Sequence, residues 1–191
     1  GTSNHGTNSY HFKNLSIDYV KKCKKIICCD ISSTDIIRHT IKDNPQIIFH
    51  LAASAYVPYS FEHPLEVNEV NVVGTLNILE AARQIKGVKR IICTSSSEVY
   101  GTALTKKINE NHPLNPTSPY AASKAAADRY CFSYIRTYNL PIVIIRPFNT
   151  YGPRHTYDVI PKFIKKAINN DNITIHGDGK QSRDLTYISD A

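Results

Sequence analysis

Tyr120 and Lys124 are the residues whose types and spacing most directly indicate chemistry. Residues four apart on a helix lie on one face, one turn apart, so this spacing places a phenol beside an ammonium group. A tyrosine has a pKa of about 10, and a neighbouring cation favours its phenolate, which makes the pair a candidate proton-transfer unit. The chain contains 12 tyrosines, however, so one such pair can arise by chance.

The sequence around this pair favours the catalytic interpretation. Residues 94–97 are Thr-Ser-Ser-Ser, which is a poor helix interior but typical of a strand end. The predicted helix that carries Tyr120 follows that strand along the chain. A serine hydroxyl at the strand end is therefore expected beside the phenol.

Apolar runs alternate with helical patterns along the chain. We predict strands over residues 25–31, 46–52, 88–93 and 141–145, helices over 33–42, 64–86 and 118–138, a loop over 103–117 and a turn over 149–153. This alternation indicates an α/β fold with a parallel sheet, and continuously apolar strands indicate a sheet covered on both faces. Ligands of such sheets bind at the carboxyl ends of the strands.

The composition is that of an ordinary globular protein. Of the 191 residues 41% are hydrophobic, and no apolar run reaches transmembrane length. The five cysteines have no disulfide or zinc-site pattern, so we expect a reducing compartment, the cytoplasm, and no metal. The formal net charge is +7, but the lysines are scattered apart from the run in residues 21–25. We therefore expect neither a nucleic-acid nor a membrane partner.

Seven short segments carry a more specific signal. They are Asp30-Ile31, residues 50–53 (His-Leu-Ala-Ala), 71–75 (Asn-Val-Val-Gly-Thr), 95–101 (Ser-Ser-Ser-Glu-Val-Tyr-Gly), 118–124 (Ser-Pro-Tyr-Ala-Ala-Ser-Lys), 146–153 (Arg-Pro-Phe-Asn-Thr-Tyr-Gly-Pro) and 177–185 (Gly-Asp-Gly-Lys-Gln-Ser-Arg-Asp-Leu). In this order they resemble the extended short-chain dehydrogenase/reductases, the NAD-dependent epimerases and dehydratases of nucleotide sugars. The resemblance implies a Rossmann-like doubly wound parallel sheet over residues 1–150 and the beginning of a smaller substrate-binding lobe over 151–191.

By this resemblance NAD is the cofactor, and most of its binding residues lie at strand ends. Asp30 and Ile31 would contact the adenine. The rest of the cofactor would lie along Leu51, Ala52, Ala53, Ser95, Tyr120, Lys124 and Phe148. Asn71 is assigned a structural role in its helix.

The resemblance also implies the catalytic set Ser96, Glu98, Tyr120 and Lys124. Tyr120 would take a proton from a sugar hydroxyl as hydride leaves its carbon for NAD. Lys124 would hold the nicotinamide ribose and lower the pKa of that phenol, and Ser96 would hydrogen-bond the sugar oxygen. Further contacts to a nucleotide-diphosphate sugar would come from Ser97, Asn149 and Arg183, since arginine suits a phosphate.

Glu98 separates the possible reactions. Oxidation of a sugar at C4 acidifies the C5 proton, and a carboxylate here would remove that proton so that the C6 hydroxyl leaves. Hydride then returns to C6, which completes a 4,6-dehydration, whereas a 4-epimerase needs no such base. We therefore favour an NAD-dependent nucleotide-sugar 4,6-dehydratase. A nucleotide-sugar 4-epimerase or a UDP-glucuronate decarboxylase-like enzyme is the alternative.

Position 97 leaves the sugar open. Ser97 stands where dTDP-glucose 4,6-dehydratases have an aspartate that acts as an acid. The pairing of Ser96 with Glu98 is similar instead to GDP-mannose 4,6-dehydratases, to dehydratases of N-acetylglucosamine nucleotides and to UDP-glucuronate decarboxylases. Residues 57–61 also resemble the N-acetylglucosamine group more than the dTDP-glucose group.

The family's glycine-rich phosphate loop is absent from the eight glycines of this chain, which also has no methionine. We interpret the chain as a fragment that lacks the first βαβ unit, with residues 1–20 as a loop. A non-catalytic binding protein that has lost the phosphate loop is the remaining interpretation. Relatives commonly dimerise through helices that correspond to residues 64–86 and 118–138, which implies a homodimer.

Overall fold

A computed structural model describes residues 21–191 of the chain. These residues belong to two compact units, of which the first ends at Arg146 and the second covers Pro147–Ala191. The loop predicted over residues 1–20 lies outside the described residues. The boundary predicted after residue 150 falls inside the first strand of the second unit.

The first unit alternates helices and strands, as predicted. Its elements are α1 (Asp35–Asp43), β1 (Ile47–His50), α2 (Val57–Glu62), α3 (Pro64–Asn68), a π-helical turn (Glu69–Val73), α4 (Gly74–Gln84), β2 (Arg90–Thr94), a 3₁₀ turn here named the Glu98 turn (Ser97–Tyr100), α5 (Pro119–Tyr138) and β3 (Ile142–Ile145). The strands form a parallel sheet in the order β1-β2-β3, in which Ile91 lies opposite both Ile48 and Ile142. The predicted α/β fold with a parallel sheet is confirmed.

Helix α5 begins and ends at residues whose local chemistry favours those positions. Ser118 has extended backbone, and its Oγ accepts a hydrogen bond from the Ala121 amide at 3.0 Å, while Pro119 occupies the first turn. Asn139 follows the helix in the left-handed conformation with φ of 54°. The helix predicted over 118–138 is therefore confirmed within one residue at its start.

The helix predicted over 64–86 is present but interrupted. It runs from Pro64 to Gln84 with the π-helical turn in its middle, and α2 precedes it without having been predicted. Pro58 and Pro64 each lie in the first turn of their own helix, and His63 between the helices is non-helical, with φ of −128°. A proline is tolerated in a first turn, so the two prolines mark two separate helix starts.

The hydrophobic core lies between one face of the sheet and helices α4 and α5. Its buried members on β2, Ile91 and Cys93, alternate along the strand, as side chains on one face must. The other buried members are Leu79 and Ala82 of α4, Cys131 of α5 and Ile142 of β3.

The opposite face of the sheet is bare within residues 21–191. Phe49 is 67% exposed, and Ile47, Val143 and Ile145 are exposed at the alternating positions of β1 and β3. Among residues 21–191, helices thus cover one face of the sheet. The reason is that right-handed crossovers between successive neighbouring strands place α4 and α5 on the same side.

Residues 25–31 do not form the predicted strand. They have no strand assignment, and Ile26 and Ile27 are exposed. A strand needs a neighbour to satisfy its backbone hydrogen bonds. In the strand order 3-2-1-4-5-6 of a doubly wound sheet, the third strand pairs with the second and not with the fourth. By the resemblance, residues 25–31 take the place of the third strand and β1 takes that of the fourth. A segment that precedes β1, as this one does, thus has no neighbour to pair with among the described residues.

The second unit consists of β4 (Asn149–Tyr151), α6 (Val159–Ile168) and β5 (Leu185–Tyr187). The two strands are parallel, with Thr150 opposite Thr186. The turn predicted over 149–153 is corrected to a strand followed by a turn, because Asn149–Tyr151 pairs with a segment more than thirty residues later. In residues 21–191 no helix is both long and apolar enough to cross a membrane.

Candidate active site

Tyr120 and Lys124 lie in the first half of α5, where this helix passes the carboxyl end of β2. Both are buried, with 8% and 6% of their surface exposed. The Lys124 Nζ donates a hydrogen bond to the carbonyl oxygen of Thr94, the last residue of β2, at 2.6 Å. The structure thus brings the tyrosine–lysine helix to the serine-rich strand end, as the sequence indicated.

The environment of Lys124 is unusual for an ammonium group. Burial lowers its pKa below the ordinary lysine value, and the acidic groups nearby, Cys131, Cys93 and Asp128, oppose that shift. A buried charge is costly without hydrogen bonds or a counter-charge. The Thr94 carbonyl supplies a hydrogen bond, and the Asp128 carboxylate supplies a nearby negative charge. Two of the three ammonium N–H groups are left for other acceptors.

Ser96 and Glu98 lie together in the segment that follows β2. Ser96 is buried and caps the Glu98 turn, since its Oγ accepts a hydrogen bond from the Glu98 amide at 3.2 Å. The hydroxyl proton of Ser96 is not used in that bond. The Glu98 carboxylate is partly exposed, and it forms no hydrogen bond or ion pair with any residue of 21–191. Ser97, between them, is also partly exposed.

Asn71 connects the loop after β1 to the first turn of α5. Its Oδ1 accepts from the Ser54 amide at 2.8 Å, and its Nδ2 donates to the Ser54 carbonyl at 3.1 Å and to the Ser123 Oγ at 2.9 Å. Ser123 in turn donates to the carbonyl oxygen of Tyr120 at 2.7 Å. These contacts agree with the structural role assigned to Asn71, and they extend it to the backbone of the candidate catalytic tyrosine.

His50 ends β1 and is neutral. The Thr75 Oγ1 donates its single proton to the Asn71 carbonyl at 2.6 Å, so it must accept at 2.9 Å from a protonated Nε2 of His50. Burial, and secondly the positive charge of Lys124, lower the pKa of His50 to about 4. His50 and Thr75 belong to motifs quoted above, but the sequence indicated no role for either.

The predicted adenine contacts form a turn that is anchored on α4. Asp30 Oδ1 accepts from the Ser32 amide at 2.9 Å, and the Asn77 Nδ2 donates to the Ile31 carbonyl at 2.8 Å. Ile31 is buried against Gly74, where an added Cβ would lie 2.6 Å from the Ile31 Cδ1. Glycine at position 74 therefore allows the turn to approach the helix.

The other predicted cofactor and substrate residues divide between the two units. Leu51 is exposed, Ala52 and Ala53 are partly exposed after β1, and Ser95 is buried after β2. Phe148, Asn149 and Arg183 belong to the second unit. Asn149 begins β4, and the exposed Arg183 donates from Nη1 to the Ser182 carbonyl at 2.8 Å.

The second unit contains a cavity of about 550 Å³ of its own. Apolar and basic side chains line it, among them Tyr151, Arg154, Ile164, Lys165 and Tyr187. Within residues 21–191 no group of three or more histidine, cysteine, aspartate or glutamate side chains could hold a metal ion.

Sequence reasoning missed Asp128 and Arg146 as neighbours of the site. Asp128 lies one helical turn after Lys124 with its side chain fully buried, and Arg146 follows β3. The two form a bidentate ion pair, with Nε–Oδ2 and Nη2–Oδ1 distances of 2.7 and 3.0 Å. The sequence signal for this pair was an acidic residue directly after the apolar residues 125–127 and a basic residue directly after the apolar residues 142–145.

Three comparisons relate this architecture to known proteins. A sequence profile of the "NAD dependent epimerase/dehydratase family" matches residues 3–191. The dTDP-D-glucose 4,6-dehydratase of Homo sapiens is 40% identical over 181 residues, which cover 93% of this chain and 51% of that protein. The chain spans about half the length of the curated relatives it matches.

Solved structures give the same picture. A double mutant of the dTDP-glucose 4,6-dehydratase DesIV from Streptomyces venezuelae, with NAD bound, superposes with a TM-score of 0.81 at 31% identity, covering 91% of this chain and 54% of that one. The UDP-N-acetylglucosamine 4-epimerase of Methanobrevibacter ruminantium M1 superposes with a TM-score of 0.78 at 38% identity, covering 85% and 53%. Both a dehydratase and an epimerase are therefore similar to this chain.

Proposed function

The chain belongs to the NAD-dependent epimerase/dehydratase family, and from this premise we propose that it forms part of a nucleotide-sugar 4,6-dehydratase. The observation that carries the proposal is the Glu98 carboxylate. It has no partner within residues 21–191 and lies in the turn capped by Ser96, two residues from that hydroxyl. A general base needs an unengaged lone pair within reach of the proton it removes.

The residues present fit NAD. Lys124 is a buried ammonium with two N–H groups left for the hydroxyls of a ribose. Ala52 and Ala53 have small side chains at the carboxyl end of β1, which allows a ligand to approach the backbone. When bound, NAD supplies the acceptor for the two electrons removed from the sugar and returns them at the end of the reaction. The first unit is the cofactor-binding part in this proposal, and the second unit begins the substrate-binding part.

Tyr120 and Lys124 act first. The Tyr120 phenolate removes the proton of the C4 hydroxyl as this carbon is oxidised. The charge of Lys124 favours the phenolate, and the Thr94 carbonyl holds that ammonium in place. Ser96 uses its remaining O–H to donate to the C4 oxygen as it becomes a ketone.

Glu98 acts next. The 4-ketone acidifies the C5 proton, which the carboxylate removes, and the electron pair of the C5–H bond forms the C5–C6 double bond while the C6–O bond breaks. The departing hydroxide takes up a proton and leaves as water. Ser97 has no acidic proton comparable to a carboxylic acid, so in this proposal Glu98 gives the proton it took from C5 to the departing hydroxide. The hydride then returns to C6, and C5 takes up a proton from solvent.

The substrate is a nucleotide diphosphate hexose, held by Asn149 and Arg183 of the second unit. The dTDP-glucose relatives favour dTDP-glucose, and the epimerase relative favours UDP-N-acetylglucosamine as the second candidate. The full-length protein should therefore be incubated with dTDP-glucose, UDP-glucose, UDP-N-acetylglucosamine and GDP-mannose. A 4-keto-6-deoxy sugar, seen by NMR with loss of one water by mass spectrometry, is the expected product.

A 4-epimerase is the second candidate, favoured by the 38% identity to the Methanobrevibacter ruminantium enzyme. An epimerised sugar without any keto product in the same assay would establish it and would overturn the dehydratase. A protein that binds nucleotide sugars but converts none would support the non-catalytic alternative.

We further propose that the protein is a cytoplasmic homodimer. Apolar side chains are exposed on the helices expected to pair, with Leu65 of α3 85% exposed and Phe132 of α5 exposed as well. Exposed apolar groups of this kind mark surfaces that bind another protein.

A further inference from the structure

The guanidinium of Arg146 joins three separate parts of the first unit. Its Nε and Nη2 donate to the Asp128 carboxylate on α5. Its Nη1 donates to the Tyr100 hydroxyl at 3.0 Å and to the Glu110 carbonyl at 3.3 Å. The guanidinium carbon also lies 5.2 Å from the centre of the Tyr100 ring. Arginine suits this place because its planar fork has five donors in fixed directions.

The pair of Asp128 and Arg146 is held away from water. The Asp128 side chain is fully buried, and that of Arg146 is 14% exposed. Burial alone would raise the pKa of Asp128, but hydrogen bonds from Arg146 and Arg129 outweigh it and hold this pKa below its ordinary value. The hydrogen bond to Asp128 raises the pKa of Arg146. The pair therefore stays charged, and its geometry persists because breaking it would take two hydrogen bonds away from a fully buried carboxylate.

The two ends of this connection are the two halves of the candidate active site. Asp128 lies one turn beyond Lys124 and two turns beyond Tyr120 on the same helix. Tyr100 is the last residue of the Glu98 turn and is buried, with its ring edge-on to His112 at 5.5 Å. The helix is regular from Tyr120 to Asp128, and the turn has only four residues. Arg146 thus links the helix of the proton-transfer pair to the turn of the elimination base.

We propose that Arg146 is a positioning residue, which holds Glu98 and Ser96 at a set distance from Tyr120 and Lys124 through Tyr100 on one side and Asp128 on the other. The proposal rests on the function proposed above. It assigns Arg146 no contact with the substrate. It predicts that loss of the Tyr100 hydroxyl slows the step that needs Glu98 and has less effect on substrate binding.

The decisive variant is Tyr100→Phe, which removes the hydrogen bond with Arg146 and keeps the ring beneath its guanidinium. Tyr134→Phe is its matched control, because the Tyr134 hydroxyl also donates to a charged group, Glu80, at 2.7 Å, near the far end of α5. Arg146→Lys, which keeps the charge and loses the fork, tests the same link from the other side. All variants are made in the full-length protein, and their thermal unfolding is measured first.

Hydrogen exchange tests the geometry without any activity. In Tyr100→Phe the amides of Val99 and Gly101, which donate within the Glu98 turn at 3.3 and 3.2 Å, should exchange about tenfold faster, while those of α5 stay unchanged. Tyr134→Phe should leave the Glu98 turn unchanged. Equal exchange of that turn in Tyr100→Phe and the unaltered protein would overturn the proposal, even if no sugar were converted.

Kinetics then separates positioning from general stability. In Tyr100→Phe we expect kcat for formation of the 4-keto-6-deoxy sugar to fall about tenfold, and the rate of solvent-deuterium incorporation at C5 to fall equally. The KM for the nucleotide sugar should stay within about twofold of that of the unaltered protein. Tyr100→Phe should add little to Arg146→Lys in the double variant, because both break one link. Additive effects, or an equal loss in Tyr134→Phe, would overturn the proposal. A full-length protein that converts no sugar would count against the proposed function alone, because the exchange experiment still decides the positioning.

Discussion

The ammonium of Lys124 donates to the carbonyl oxygen of Thr94 at 2.6 Å, and this bond joins helix α5 to the last residue of strand β2. Strand β2 continues into the serines and the Glu98 turn, so this hydrogen bond helps to hold the helix against the strand end. The same charge also reaches His50 at the end of β1. Lys124 is therefore both a candidate cofactor ligand and an electrostatic centre of the first unit.

Replacing Lys124 by methionine should remove activity and leave the fold in place. We expect kcat for the keto sugar to fall about 100-fold or more, since the phenolate of Tyr120 loses its cation. The pKa of His50 should rise from its value of about 4, because one of the two causes of its depression disappears. NMR titration of the His50 ring measures this, and an unchanged pKa would contradict the electrostatic contact.

Glu98→Gln should stop dehydration without stopping oxidation at C4. The amide keeps the shape of the side chain but cannot accept the C5 proton. The 4-keto-6-deoxy sugar should therefore form at least about 100-fold more slowly. Binding of the nucleotide sugar, measured by calorimetry, should change little. Undiminished formation of the keto sugar by Glu98→Gln would remove Glu98 from the reaction.

Stability should fall as the pH drops from about 6.5 to about 4. The pKa of His50 is about 4 in the folded protein and about 6.5 when unfolded, so in this window the unfolded chain binds a proton that the folded chain does not. That difference corresponds to about 3 kcal/mol of unfolding free energy, present above pH 6.5 and lost towards pH 4. Urea unfolding at several pH values measures it, and His50→Gln should flatten the dependence in this window.

Asn71→Ala should lower both stability and kcat, whereas Asn77→Ala, which loosens the predicted adenine-binding turn, should lower stability and NAD binding but leave kcat at saturating NAD little changed. Both amides are buried and hydrogen-bonded to backbone atoms, so each loss should cost about 2 kcal/mol. Only Asn71 also contacts Ser123, which supports the Tyr120 carbonyl. Thermal unfolding and kcat of both variants check this, and equal kcat values would show that Asn71 does not support Tyr120.

Leu65→Glu should convert the proposed homodimer into a monomer. Leu65 is 85% exposed, so the charge costs the isolated subunit little, but it would be buried against the second copy. Light scattering after size-exclusion chromatography measures the mass. Leu104→Glu, at an exposed leucine outside the pairing helices, is the control and should remain dimeric. A monomeric unaltered protein would refute the dimer.

Local chemistry determined much of the first unit. Ser118, Pro119 and Asn139 are residues that begin and end a helix by their own backbone and side-chain preferences, so α5 could be placed from the sequence. The apolar runs of β1, β2 and β3 likewise required burial, and their alternation with helices predicted a parallel sheet. Motif order was sufficient to indicate the family.

Other features depended on residues far apart in the chain. Residues 25–31 are as apolar as a strand but lack a neighbour to pair with among residues 21–191, and Asn149–Tyr151 is a strand because β5 lies beside it. The link from Asp128 through Arg146 to Tyr100 joins groups that no sequence pattern pairs. Helix ends and apolar runs follow from interactions within a few residues, which a sequence displays directly. Strand pairing and buried charge pairs depend on which distant groups meet, and only the folded chain decides that.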